Sequence, residues 1–207
     1  MATVKCYVDG FNLYHAISAL ERPEMKWLNL RYVAQLMLRQ DDVLLGVEYF
    51  TAVVHWNKEK AQRHTEYIKA LESVGVKVTK SYFKRTDKHC MTLVRSCPFY
   101  EEKQTDVALA TRVLRDALSG AAERQVVVTA DADHVPLFKH VRESCPQVEI
   151  ELAAPPGRLH LARELGKLAT WHRELKAGQL LSCLFPRNVT DASGTIVARA
   201  PASYAVS

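Results

Sequence analysis

The stretch "QVVVTADADH", Gln125 to His134, passes from apolar to acidic within two residues. Three consecutive valines read as a strand buried on both faces, the habit of an interior strand in a parallel sheet. Asp131 and Asp133 follow at once, with Ala132 between them. A carboxylate placed directly after a buried strand needs a partner, because an isolated charge in apolar surroundings is expensive.

Working outward, the same alternation of buried strand and amphipathic helix recurs along the chain. "TVKCYV" (Thr3 to Val8), "LLGVEYFTAVV" (Leu44 to Val54) and "VKVTKSYF" (Val76 to Phe83) read as strands. "QVEIEL" (Gln147 to Leu152) alternates like an edge strand. Helices are expected over Asn29 to Leu38 with Asn29 as N-cap, Lys58 to Gly75, Thr105 to Gly120, Val135 to Ser144, and Leu161 to Lys176. Strands alternating with helices imply right-handed crossovers and an α/β fold: three layers, with a central, mainly parallel sheet of about five strands.

The totals narrow the class. The 207 residues carry a formal net charge of +5, and nearly half are hydrophobic. This suits one domain, alone or with an appendage, and a mild attraction to polyanions. Five cysteines, an odd number without framework spacing, point to a reduced, cytoplasmic protein. No apolar run approaches the ~20 residues of a membrane span, and neither a signal peptide nor an internal repeat is recognisable.

In open α/β sheets ligands bind beyond the carboxyl ends of the strands. Asp9 closes the first strand, Asp131 and Asp133 close the valine strand, and Asp106 opens the helix after "EEKQT". If those two strands are neighbours, four carboxylates converge on one crevice. Their mutual repulsion is relieved by a hard divalent cation such as Mg²⁺ or Mn²⁺. Three of the acids also have a local alternative, and Asp131 is the hardest to explain locally. Asp9 in "DGFN" could make a turn, Asp106 could answer the helix dipole, and Asp133 could cap the helix that follows. Walker A, G-x-S-x-G and dinucleotide-loop patterns are all missing. Asp-x-Asp after a buried strand leaves a phosphatase-like aspartyl nucleophile as a further alternative.

"YVDGFNLYH" (Tyr7 to His15), "EEKQTDVALATRVLRDA" (Glu101 to Ala117) and "VVVTADADHVPLF" (Val126 to Phe138) resemble, in order, the three signature blocks of NYN-domain proteins, which are PIN-like, LabA-like metal-dependent ribonucleases and their relatives. "APPGR" and "LLSCLFPRNV" are similar to the closing segments of that family. The resemblance implies a PIN-like fold, with a nuclease domain over residues 1–157 and a C-terminal helix and tail over 158–207 packing on it or extending it. It implies that Asp9, Asp106, Asp131 and Asp133 hold one or two Mg²⁺ or Mn²⁺ ions, and that RNA is the substrate of a phosphodiester hydrolysis. The alternative on the same fold is a non-catalytic RNA-binding or regulatory module. Asn12 matches the family's Asn after the first acid, binding phosphate or fixing Asp9. Glu102 and Lys103 match the segment before the helix; Lys103 could meet phosphate or an acid of the cluster, or be a solvated charge.

Two departures stand out. Ala132 occupies a position where relatives commonly carry a small hydroxyl residue. His134 stands where an apolar residue is common; it could reach substrate or metal, or serve in surface or packing roles.

"YFKRTDKHCMTLVRSCPFY" (Tyr82 to Tyr100) is basic with aromatic ends. Lys84, Arg85, Lys88 and Arg95 could track a phosphate backbone while Phe83, Phe99 or Tyr100 stack bases. The alternative is a solvated loop anchored by its aromatics. Trp56, near the end of the second strand, could stack a base or serve in packing. His89, Cys90 and Cys97 suggest zinc, but they make an incomplete four-ligand set. The C-terminal segment could also mediate a homodimer.

Overall fold

The computed structural model describes residues 1–90 and 95–204, with the side chains of residues 88–90 and 95 left outside the description. Among the described residues seven strands form one sheet: β1 (Thr3–Asp9), β2 (Val43–Ala52), β3 (Val76–Cys90), β4 (Arg95–Lys103), β5 (Arg124–Val128), β6 (Glu149–Ala154) and β7 (Trp171–Glu174). Their spatial order is β4-β3-β2-β1-β5-β6-β7. All neighbours are parallel except β3 and β4, which pair antiparallel. The α/β class with a mostly parallel sheet is therefore as expected, but the sheet has seven strands rather than five.

The two extra strands have different origins. The basic segment after Phe83 continues β3 and folds back as β4, pairing Tyr82 with Lys103 at its root. The helix expected over Leu161 to Lys176 is instead a short helix, α6 (Arg163–Leu168), followed by β7. Ala169 N–H closes α6 on Leu165, and Thr170 N–H then turns to the carbonyl of Ile150 in the sheet. "QVEIEL" is consequently an interior strand, between β5 and β7. Its alternation is misleading because Glu151 is buried, facing Arg39 and Arg124 across the sheet. An ion-paired acid inside the protein looks like a solvent-facing one in the sequence.

Helices cover both faces. On one side lie α1 (Gly10–Ser18), α2 (Leu30–Gln35) and α3 (Lys58–Ser73), burying Leu13, Ile17, Val33 and Leu71 against Val8, Val47 and Tyr49. On the other lie α4 (Thr105–Leu118), α5 (Val135–Ser144) and α6, burying Leu109, Val113, Phe138 and Leu165 against Tyr7, Phe50 and Val127. The Asn29 side chain accepts from the N–H groups of Arg31 and Tyr32 and so caps α2. Gly75 ends α3 at a φ of 78°, a conformation that favours glycine. Beyond α7 (Ala177–Leu181), Phe185 and a two-stranded hairpin, β8 (Asn188–Thr190) with β9 (Ile196–Arg199), join the core beneath α1 to α3. Among the described residues no helix is long and apolar enough to cross a membrane.

β1 sits between β2 and β5. The chain runs from β1 toward β4 on one side and from β5 toward β7 on the other. The carboxyl ends of β1 and β5 therefore flank the topological switch point, where ligand crevices form in open α/β sheets.

Candidate metal centre at the switch point

Asp9 is the last residue of β1 and the N-cap of α1, and its carboxylate accepts from the Asn12 N–H at 3.0 Å. Asp-Gly here opens a helix rather than making a turn. Gly10 is required by proximity: a Cβ would lie 2.5 Å from the Phe50 carbonyl oxygen and 2.7 Å from a Tyr49 ring carbon. The second Asp9 oxygen accepts a 2.9 Å hydrogen bond from the Thr129 hydroxyl. Asn12 Oδ1 accepts from the Ala130 N–H at 2.9 Å. The ends of β1 and β5 are thus stitched together by side chains from each.

Asp106 enters from α4. That helix is docked by Arg112, whose Nε lies 2.9 Å from Glu48 and 3.2 Å from Asp116. Before it stands Gln104 at a φ of 79°, a strained conformation for a residue with a side chain. Glu102 accepts from both the N–H and the hydroxyl of Thr105, closing the first turn. Its place is therefore at the base of α4.

His134 comes from the turn after β5 and is fully buried. Its Nε2 lies 3.8 Å from an oxygen of Asp9 and 3.8 Å from one of Asp106. Those distances are too long for hydrogen bonds, and among the described residues Nε2 has no hydrogen-bond partner. One donor atom from each of Asp9, Asp106 and His134 falls within 4.8 Å of the others. Asp9 and His134 are buried, whereas the Asp106 side chain is 49% exposed, so the cluster opens to solvent on the α4 side.

Asp131 and Asp133 do not join these donors. Asp131 Oδ1 accepts from the Asp133 N–H at 3.0 Å, capping a single 3-10 turn over Ala132–His134. Asp131 N–H donates to the Thr129 hydroxyl at 3.1 Å. Asp133 is exposed and does not cap α5, whose N-cap is His134 without a side-chain bond. Ala132 is exposed too. The hydroxyl serving this segment is that of Thr129, which lies immediately before the acids.

The electrostatics follow from this packing. Partial burial raises the Asp106 pKa, and the charges of Asp9, Glu102 and Asp131 push it the same way against His134. Burial alone would lower the His134 pKa, but the carboxylates of Asp9, Asp106 and Asp131 outweigh it and the net shift is upward. Two carboxylates and an unpartnered imidazole nitrogen fit a divalent cation. Carboxylates alone suit Mg²⁺, and adding an imidazole moves the preference toward first-row transition ions.

The remaining expected residues lie around the root of the β3–β4 hairpin. Phe83 meets Phe11 edge-on at 5.6 Å, two residues after Asp9. Trp56 stacks on Tyr100 at 3.6 Å and meets Phe83 edge-on at 4.9 Å. Lys84 and Arg85 are exposed on β3, with Arg85 loosely paired to Asp87 at 3.4 Å. Lys103 pairs with Glu101 at 3.0 Å. The zinc reading of His89, Cys90 and Cys97 falls on two side chains outside the described residues.

Sequence reasoning missed Thr129 and the helix after Asp9. It left the role of His134 between packing and ligation. Thr129 carried a usable signal: a hydroxyl between a buried valine run and an acid pair.

Comparison with known proteins places these features in context. A family model described as "NYN domain" matches residues 3–169. The 6-hydroxy-3-succinoylpyridine 3-monooxygenase HspA of Pseudomonas putida (strain DSM 28022 / S16) is 26% identical over 231 aligned residues, covering 93% of this chain and 73% of that protein. A crystal structure of a protein of unknown function from Vibrio parahaemolyticus RIMD 2210633 is similar in fold. It has a TM-score of 0.57 and 18% identity, covering 85% of this chain and 94% of that one.

Proposed function

Because the chain belongs to the NYN domain family, a nuclease-like family, we propose that it is a metal-dependent endoribonuclease. Its site would be the crevice between β1 and β5. The observation that carries this reading is the convergence of donor atoms from Asp9, Asp106 and His134 within 4.8 Å of one another. When bound there, a divalent ion would neutralise charge at the scissile phosphate and lower the pKa of a water molecule.

The protein residues divide the remaining work. Asp9 is the fixed donor, held from both sides by Thr129 and the Asn12 N–H. Asp106 is the open donor, facing the side from which substrate enters. His134 supplies the third donor and makes Mn²⁺ the better-suited ion than Mg²⁺. Asp131 positions the turn that carries His134 and adds negative potential. RNA would lie along the β3–β4 hairpin, its phosphates near Lys84, Arg85 and Lys103. Its bases would meet the aromatic cluster of Trp56, Phe83 and Tyr100.

A second reading, an RNA-binding module without cleavage, is favoured by one observation. Asp131 and Asp133 spend themselves on the local turn or face solvent, which leaves three protein donors rather than four carboxylates. The named substrate of the Pseudomonas relative is a small heteroaromatic; the phosphodiester reading rests instead on the acid cluster and the family.

The test is cleavage of single-stranded RNA by the purified protein with Mn²⁺, with Mg²⁺, and with chelator, alongside Asp9→Asn and Asp106→Asn. Cleavage that needs metal and disappears in both variants supports a nuclease. Saturable RNA binding without product would favour the second reading. Undiminished cleavage in Asp9→Asn would remove the mechanism.

A further inference from the structure

Across the sheet from the acid cluster, a cavity of about 300 Å³ lies between α1, β2 and α3. Tyr49 and Thr51 of β2 form part of its wall, and Tyr204, from the C-terminal tail, contributes another part. This volume falls at the lower end of small-molecule pockets. The cavity lies on the opposite face of the sheet from the acid cluster and adjoins the proposed RNA path at Phe83, which lines both. Tyr49 belongs to the core beneath α1 to α3, while Tyr7 and Phe50, the neighbouring residues in β1 and β2, face α4.

The lining is chemically one-sided. Six aromatic rings contribute: Phe11, Tyr14, Tyr49, Tyr67, Phe83 and Tyr204. Three cations contribute, Lys26, Lys60 and Arg63, and no acid lines the cavity among the described residues. Lys26 lies over the Tyr14 ring at 5.2 Å, and among the described residues neither Lys26 nor Lys60 pairs with an acid. The acid partner of Arg63 is Glu59, 3.7 Å away and 87% exposed, a contact that water screens heavily. Tyr67 spends its hydroxyl on the Leu28 carbonyl, so its ring presents an apolar surface. His64 sits 3.2 Å from the Thr51 hydroxyl and is held neutral by burial, which leaves the positive charge with the lysines and arginine.

Such a wall repels amines and metal ions and leaves a purely apolar ligand with unused cations. A flat ring carrying one negative charge satisfies both halves: ring against rings, and carboxylate against Lys60 and Arg63. We propose that this cavity binds a small aromatic carboxylate. The site is independent of whether the acid cluster cleaves RNA.

The experiment is titration calorimetry with 4-hydroxybenzoate and its uncharged analogue 4-hydroxybenzamide as probes. Binding of the acid should be saturable and about tenfold or more tighter than that of the amide, the difference expected of a charge-assisted contact. Lys60→Gln, at an exposed position that leaves the core untouched, and Arg63→Gln should each erase much of that preference. Asp106→Asn, on the other face of the sheet, should leave it intact. Equal binding of acid and amide would overturn the proposal, as would failure of the acid to saturate in the millimolar range. Tighter binding of adenosine monophosphate than of the acid, lost in Lys60→Gln, would also overturn it in favour of a nucleotide site.

Discussion

The Thr129 hydroxyl donates a 2.9 Å hydrogen bond to Oδ2 of Asp9, joining the end of β5 to the end of β1. Thr129 is fully buried and Asp9 nearly so. The same hydroxyl accepts from the Asp131 N–H at 3.1 Å. One side chain thus orients a candidate ligand and the turn that carries another. Thr129→Val keeps the shape and removes both bonds. Loss of such an orienting partner typically lowers metal affinity by about 10–100-fold. Mn²⁺ titration should show a drop in that range with an unchanged far-ultraviolet spectrum, and Thr129→Ser should recover most of it. Equal affinity in the valine variant would remove Thr129 from the positioning role.

Much of this arrangement was legible in the sequence, and the gaps have physical causes. The valine run placed β5 correctly in the sheet interior, and Asp9 and Asp131 could be assigned to strand ends because burial patterns stop there. Which acids bring their donor atoms close together was not legible. That depends on the 3-10 turn after β5, where each residue changes direction: Asp131 folds back on Asp133 N–H, Asp133 points to solvent, and His134 turns inward. Periodicity rules have no purchase on a single turn. The strand β6 was misread as an edge because Glu151 imitates exposure while buried against arginines. The helix α1 was hidden because Asp-Gly signals a turn, whereas here Asp9 caps and Gly10 lets the helix approach Tyr49.

The donor geometry ranks the acids rather than treating them alike. Asp9→Asn and Asp106→Asn should each reduce metal-dependent activity by on the order of a hundredfold or more, since each removes a proposed ligand. Asp131→Asn should cost about tenfold through the turn it supports. Asp133→Asn, at an exposed position, should stay within about twofold. His134→Ala should weaken Mn²⁺ more than Mg²⁺, because imidazole contributes more to the transition ion. Parallel activity titrations with the two metals read all five variants. An Asp133→Asn loss as deep as that of Asp9→Asn would require a site built on the acid pair.

Gly10 offers a test of the scaffold alone. A Cβ there would lie 2.5 Å from the Phe50 carbonyl oxygen, a backbone atom that cannot swing aside. Overpacking of this kind costs about 1–3 kcal/mol. Gly10→Ala should therefore lower the urea midpoint accordingly, and it should also weaken metal binding, because the first turn of α1 supplies the Asn12 N–H to Asp9. Ala at this position with unaltered stability would mean that α1 can withdraw from β2 without penalty.

His64 sets an acid limit on stability. Burial, reinforced by the charge of Lys80, lowers its pKa from 6.5 to about 4 in the folded chain. A base with a depressed folded pKa binds fewer protons folded than unfolded between those two values, so stability rises with pH across that window and is lost as pH falls through it. The full difference corresponds to an upper figure of about 3 kcal/mol. Melting temperature should drop between pH 7 and pH 4, and His64→Gln, which cannot titrate but can still face Thr51, should flatten that slope. An unchanged slope in His64→Gln would assign the acid sensitivity to other groups and leave His64 a polar wall of the cavity with no part in it.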